Sequence, residues 1–240
     1  MWIVLETIPV FIMGSLWMAN KNNLVHLQVS PNQLVMYYFT VLLVSRITGF
    51  YFDERVQSEI RDGTFSKYIL KPVHFPLYTI FINLGGKMFN FFFLYIPVML
   101  ILLIIFKSQI SFPSLPNTLF FIVSLILAYF INLAISLLVA TAAFFWEQSN
   151  SLVHAKWMLE SVAGGYMLPL FLYPNWTQHL FNFLPFKYLF YFPAIIFAGQ
   201  LNIQNTLSGI ALGFFWAITL NITAHFFWKS GIKRYISVGG

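Results

Sequence analysis

The chain is expected to fold as an all-α polytopic membrane protein with six transmembrane helices, a helix on the inner membrane surface, and a re-entrant helical hairpin on the outer side. Three observations predict this class. The 240 residues are 59% hydrophobic and only 8% charged, too apolar to hide their side chains inside a water-soluble globule of that size. Six runs approach or exceed about 20 apolar residues, enough to cross a hydrocarbon layer about 30 Å thick. The ten-residue alternation of a closed barrel is absent, which leaves helices, whose backbone groups are satisfied within the segment. Residues 1–240 then form a single transmembrane domain.

The first run, Trp2 to Ala19, is followed by Asn20, Lys21 and Asn22 without a small-residue cleavage site; it is expected to be a retained span and not a signal peptide. The second run is Leu34 to Phe52. In the connection over residues 53–75, Phe52, Val56 and Ile60 recur every four residues, while Asp53, Glu54, Arg55, Gln57, Ser58 and Glu59 fall mostly on other faces. That spacing predicts a short amphipathic helix at the membrane surface. Gly63 follows as a helix-ending residue, and Pro72 and Pro76 bracket the restart. Charge gathers from Glu59 to Pro76, at Glu59, Arg61, Asp62, Lys67 and Lys71, which makes this stretch the expected surface for a soluble partner.

The third, fourth and fifth runs are Pro76 to Phe106, Thr118 to Trp146 and Leu152 to Tyr173. From Tyr173 to Gln200 the chain stays apolar but is broken by Pro174, Pro185 and Pro193, so a continuous span is not expected. Short helices dipping into the outer leaflet over 174–200 fit better, packed against other helices because non-helical backbone at that depth must be buried in protein or line a wet cavity. Such a hairpin would cap the exit of a pathway. The sixth run, Leu207 to Trp228, contains Gly209 and Gly213 at the spacing that lets helices approach closely, expected here to serve packing within the subunit.

Loop charges set the orientation. With both termini inside, the inner side receives Arg55, Arg61, Lys67, Lys71, Lys156, Lys229, Lys233 and Arg234, and the outer side only Lys21, Lys107 and Lys187. The formal net charge of +6 serves orientation and anionic lipid head groups in so apolar a chain; no nucleic-acid partner is expected. Trp17, Trp146, Trp157, Trp176 and Trp228 fall near span ends, at the head-group level that suits amphipathic rings.

Catalytic signatures are missing. Gly86-Lys87 is followed by Met88, and Phe81 stands where a phosphate-binding loop needs its first glycine. There is no HExxH pair, no GxSxG elbow and no cysteine, and the five histidines are scattered. No cofactor or metal is therefore expected in the chain. Charges inside spans are costly and are functional candidates by default; they are Glu6, Arg46, Lys87 and Glu160. Arg46 lies about 9 Å from the inner end of its span at 1.5 Å per residue, and Glu160 lies at a comparable depth, so the two could pair in a substrate or gating role; the favoured expectation is the simpler one, with Arg46 and Lys87 snorkelling to the inner surface and Glu160 satisfying a neighbour.

Two blocks resemble a known family. Glu59, Ile60, Gly63, Ile69, Leu70, Lys71 and Pro72 are similar to the first cytoplasmic loop of ATP-binding-cassette (ABC) type-2 permeases. Leu168, Pro169, Tyr173, Pro174, Leu184, Pro185, Phe186, Pro193, Ala198 and Gly199 resemble the family's outer re-entrant region. The resemblance covers nearly the whole chain and departs in one respect: such permeases usually begin with an amphipathic cytoplasmic helix, whereas Trp2 here already opens the first span. It implies a non-catalytic exporter subunit in a bacterial cell membrane, paired with an identical or paralogous second permease and with cytoplasmic ABC ATPase subunits that bind ATP and Mg. The coupling helix seated in the ATPase would use Asp53, Glu54, Arg55, Val56, Glu59, Ile60, Arg61 and Gly63, and the re-entrant region would be shaped by Pro169, Pro174, Pro185, Phe186 and Pro193. The exported cargo would be a drug-like molecule, a peptide or a lipid-linked compound. The rival expectations are a membrane-embedded enzyme acting on lipid-soluble substrates and an ion-coupled transporter; no internal repeat of broken helices speaks for the latter.

Overall fold

Helix is the only regular structure among the described residues, which are 31–70, 74–107, 110, 112–146 and 149–235 of the computed structural model. The elements are α1 (Pro31–Thr48), α2 (Asp53–Arg61), α3 (Ser66–Ile69), α4 (Phe75–Asn90), α5 (Ile96–Ile105), α6 (Leu115–Thr141), α7 (Asn150–Val162), α8 (Asn175–Asn182), α9 (Tyr191–Phe197) and α10 (Ile203–Ile232). Three stretches, Asn32–Arg61, Leu115–Phe144 and Ile203–Ile232, are long and apolar enough to cross a membrane, the first of them including the break between α1 and α2. The number rises to five if each of two bent pairs counts as one span. The first expected span, Trp2 to Ala19, lies outside the described residues, as do Lys71 and Pro72.

Helix ends follow local chemistry. Proline sits in the first turn of α4 and of α6, where its missing N–H costs nothing. Asn202 caps α10 by accepting the Asn205 N–H at 2.8 Å. The expected third span is bent by 43° between residues 75–93 and 96–105; a π-helical turn, Phe91–Tyr95, and Pro97 in the first turn of α5 coincide with the bend.

α6 is the hub. α10 packs along it, and α1, α2, α7 and α9 also contact it. Ala128, Ile131, Ala134 and Ala140 of α6 are fully buried. α9 is the wedge between α1 and α6, with Pro193, Ala194 and Ile196 buried. The Gly209/Gly213 step faces inward as expected: the Phe192 ring lies where a side chain at Gly209 would be, and Leu127 and Tyr188 crowd Gly213. The opposite faces are greasy and exposed, as at Phe81 (70%), Phe93 (66%) and Phe226 (65%), which suits contact with lipid.

The fifth apolar run is broken. Leu152 to Tyr173 is not a continuous helix: α7 stops at Val162, and the chain then turns through Gly165 at φ +79° before a 3-10 turn at Leu170–Leu172. Glycine is the residue that adopts this left-handed conformation without penalty. The freed carbonyls are satisfied by protein. Tyr37 Oη donates to the Gly165 carbonyl at 2.6 Å, Tyr38 Oη to the Met167 carbonyl at 3.0 Å, and the Tyr191 N–H to the Gly164 carbonyl at 3.0 Å. Beyond it, α8 and the 185–197 segment meet at 82°, as a broken span or a re-entrant loop would. Tyr37→Phe removes a buried donor while keeping the ring, so the detergent-solubilised protein should lose about 1–3 kcal/mol of stability; an unchanged unfolding temperature would contradict the role given to this bond.

Candidate functional site

α2 forms because its first turn carries Asp53 and Glu54 and its last turn Arg61, charges that complement the helix dipole. Its period then splits the residues of the expected docking surface. Asp53, Val56, Gln57 and Ile60 are buried, whereas Glu54, Arg55 and Arg61 are exposed. Residues three, four and seven apart share a face, and this one lies on α6 and α7. Glu59 is half-buried and engaged by Lys67 at 2.9 Å, a bond that raises the Lys67 ammonium above its ordinary pKa. Gly63 is tied from the other end of the chain, its carbonyl accepting from Tyr235 Oη at 2.7 Å.

The inward face holds a charge that the sequence placed at the inner surface. Lys156 of α7 is buried, and its ammonium donates to Asp53 Oδ2 at 3.0 Å, to the Phe50 carbonyl at 3.1 Å and to Ser136 Oγ of α6 at 2.7 Å. An ammonium has three protons, and all three are used. Glu160, one turn along α7, flanks the same nitrogen at 3.8 Å. Gln57 adds a bond from α2 to the Val139 carbonyl of α6 at 2.7 Å, and Arg61 reaches Asn150 at 2.9 Å. α2 is thus joined through buried polar bonds to both α6 and α7.

An aromatic clamp holds the other end of the connection. Phe65 is buried among Phe75, Phe144, Trp228 and Tyr235, with ring centroids 5.1 to 5.8 Å away, and Phe75 stacks on Trp228 at 4.7 Å. The C-terminal part of α10 therefore grips the segment that follows α2.

The candidate pairing of Arg46 with Glu160 is not formed. Glu160 meets Lys156, while Arg46 lies over the Tyr95 ring at 5.2 Å, beside Lys87 in a separate cleft. Lys87 donates to the Ile47 carbonyl at 2.6 Å and lies over the rings of Phe50 and Tyr129 at 4.9 and 5.0 Å. In the 169–197 region, Pro169 precedes the 3-10 turn at Leu170–Leu172, Pro174 caps α8, Pro185 opens a second 3-10 turn, and Pro193 is buried in α9. Phe186 packs against the core and lines an apolar cavity of about 310 Å³ that reaches Lys156 and Leu159. Among the described residues, no group of three or more His, Asp or Glu side chains is placed to hold a metal ion.

A family model described as "ABC-2 family transporter protein" matches residues 28–239. No curated protein and no solved structure matches the chain.

Lys156→Met leaves the Asp53 carboxylate buried and unpaired, which should cost about 3–5 kcal/mol. The double variant Lys156→Met with Asp53→Asn should recover a measurable part of that loss in thermal unfolding of the solubilised protein. Strict additivity of the two single substitutions would show that the pair is not coupled.

Proposed function

Because the chain belongs to the ABC-2 transporter family and carries helices able to cross a membrane, it is a transport permease, and we propose that it is the pathway-forming subunit of an ATP-driven exporter. ATP and Mg are bound by separate cytoplasmic ATPase subunits, and a second permease, a copy or a paralogue, completes the pathway. Six crossings are reached with Trp2 to Ala19 as the first, α4 and α5 together as the third, and α7 with the turns after it as the fifth. Both termini lie on the cytoplasmic side of the cell membrane, as the distribution of basic residues favours, and 174–200 is the outer re-entrant hairpin.

In this reading α2 is the coupling helix. Supporting it is one observation above the others: a nine-residue helix between two apolar segments turns a charged face outward and fixes its other face to α6 and α7. Glu54, Arg55 and Arg61 are the side chains that would seat in the ATPase. Closure of the paired ATPases on ATP pushes α2, and the Lys156 joint passes that displacement into α6 and α7. Hydrolysis then releases the push and resets the pathway.

Affinity purification of the gently solubilised chain tests this. A soluble ATPase should copurify, and the double variant Glu54→Lys with Arg61→Glu should lower its recovery roughly tenfold or more, as expected for a loss of about 1.4 kcal/mol or more, without changing the elution of the permease itself. A lone polypeptide that transports at full rate would contradict the proposal.

A further inference from the structure

The break between α1 and α2 carries a second strut besides the Lys156 joint. Lys87, near the C-terminal end of α4, donates to the Ile47 carbonyl at 2.6 Å and lies over the rings of Phe50 and Tyr129 at 4.9 and 5.0 Å. Phe50 is thereby shared: its carbonyl accepts from Lys156, while its ring carries Lys87 and meets the Tyr129 ring at 4.7 Å. From this geometry we infer that Lys87 is a positioning residue of the permease, one that passes a displacement of α2 into the bent α4–α5 span and changes its bend. The inference rests on the reading of α2 as the coupling helix and names a further element that the helix moves.

The two halves of that span are attached to different parts of α1. Through Lys87, α4 is tied to Ile47 in the last turn of α1 and to Phe50 in the break. α5 is tied further back, where Met99 packs with Phe39 and Leu42 of α1. Between the two attachments lie the π-helical turn Phe91–Tyr95 and the 43° bend, and Lys87 stands about one turn before them. A π-helical turn is a local fault in the ladder at which a helix changes direction. The middle of α1 is held by α6 and α9. A break that shifts with α2 while this part of α1 stays in place displaces α4 against α5, and the turn between them takes up the difference.

The strut is built to follow the break. An ammonium inside a span keeps its acceptor, because letting go leaves a charged donor unsatisfied away from water. The ring faces of Phe50 and Tyr129 add an attraction that is lost when either ring moves off alone. Lys87 therefore travels with Ile47 and Phe50 and does not slip past them. The first turn of α4 is pinned separately, with Phe75 stacked on Trp228 of α10 at 4.7 Å. With that end fixed, a pull at Lys87 swings α4 about its first turn, and the swing is largest beside the bend.

Spin labels on Phe81→Cys of α4 and Ile104→Cys of α5, both exposed positions, report the bend in the full chain purified with its ATPase, without nucleotide and with ATP trapped. Expected is a distance that shifts on ATP trapping in the chain with native Lys87 and in Lys87→Arg, which keeps a donor and a cation for the rings. In Lys87→Met the distance should stay the same in both states although the ATPase still copurifies. An equal shift in Lys87→Met and in the chain with Lys87 would overturn the inference. So would the absence of any shift with Lys87 in place, a result that does not depend on how the variants fold. In both of those cases the copurifying ATPase leaves the permease reading standing, whereas a chain that brings down no ATPase rejects that reading and this inference with it.

Discussion

A lysine ammonium removed from water must satisfy all of its protons, and Lys156 does so with acceptors from α2, from the 49–52 break and from α6. Desolvation makes each of those contacts obligatory. The position of α2 is therefore fixed by geometry that cannot loosen one bond at a time. A surface helix on an ordinary connection would swing. This one is fixed to α6 and α7, with the ring cluster around Phe65 holding the chain that leaves it.

The same rule explains the irregular backbone after α7. Carbonyls freed by the turn at Gly165 are bonded by Tyr37 and Tyr38 of α1, and α9 is driven into the space between α1 and α6. Breaks at membrane depth survive because neighbouring helices complete their hydrogen bonds. Glycine permits the close contacts, as at Gly209 against Phe192. The joint on one side of the body and the wedge on the other are both packed against α6, the element through which a push at α2 would have to pass.

Much of the architecture was legible in the sequence because run length and period are properties of consecutive residues. The apolar runs locate α1, α6 and α10, and the spacing of Phe52, Val56 and Ile60 gives the apolar face of α2, although Val56 and Ile60 also stand among the expected docking residues. The resemblance counts Asp53 among the docking residues, although 53, 56, 57 and 60 share a helical face. Loop-charge bias assigns Lys156 to the inner side; the carboxylate one turn on, Glu160, inside an apolar run, is the available sign of a buried pair. Mean hydropathy concealed the break in the fifth run, where the doublet Gly164-Gly165 was the signal. That Glu160 meets Lys156 and not Arg46 depends on which helices are neighbours, which the order of residues does not encode locally.

The chain contains no cysteine, so paired spin labels can be placed without background. The most direct measurement is the distance between labels at Asp62, the exposed residue at the C-terminal end of α2, and Met158 on the exposed face of α7, taken in the assembled complex without nucleotide and with ATP trapped. If the Lys156 joint carries motion as a rigid link, one distance distribution describes both states. A distribution that shifts on ATP binding would show that α2 moves independently of α7, and the joint would then not be the transmission.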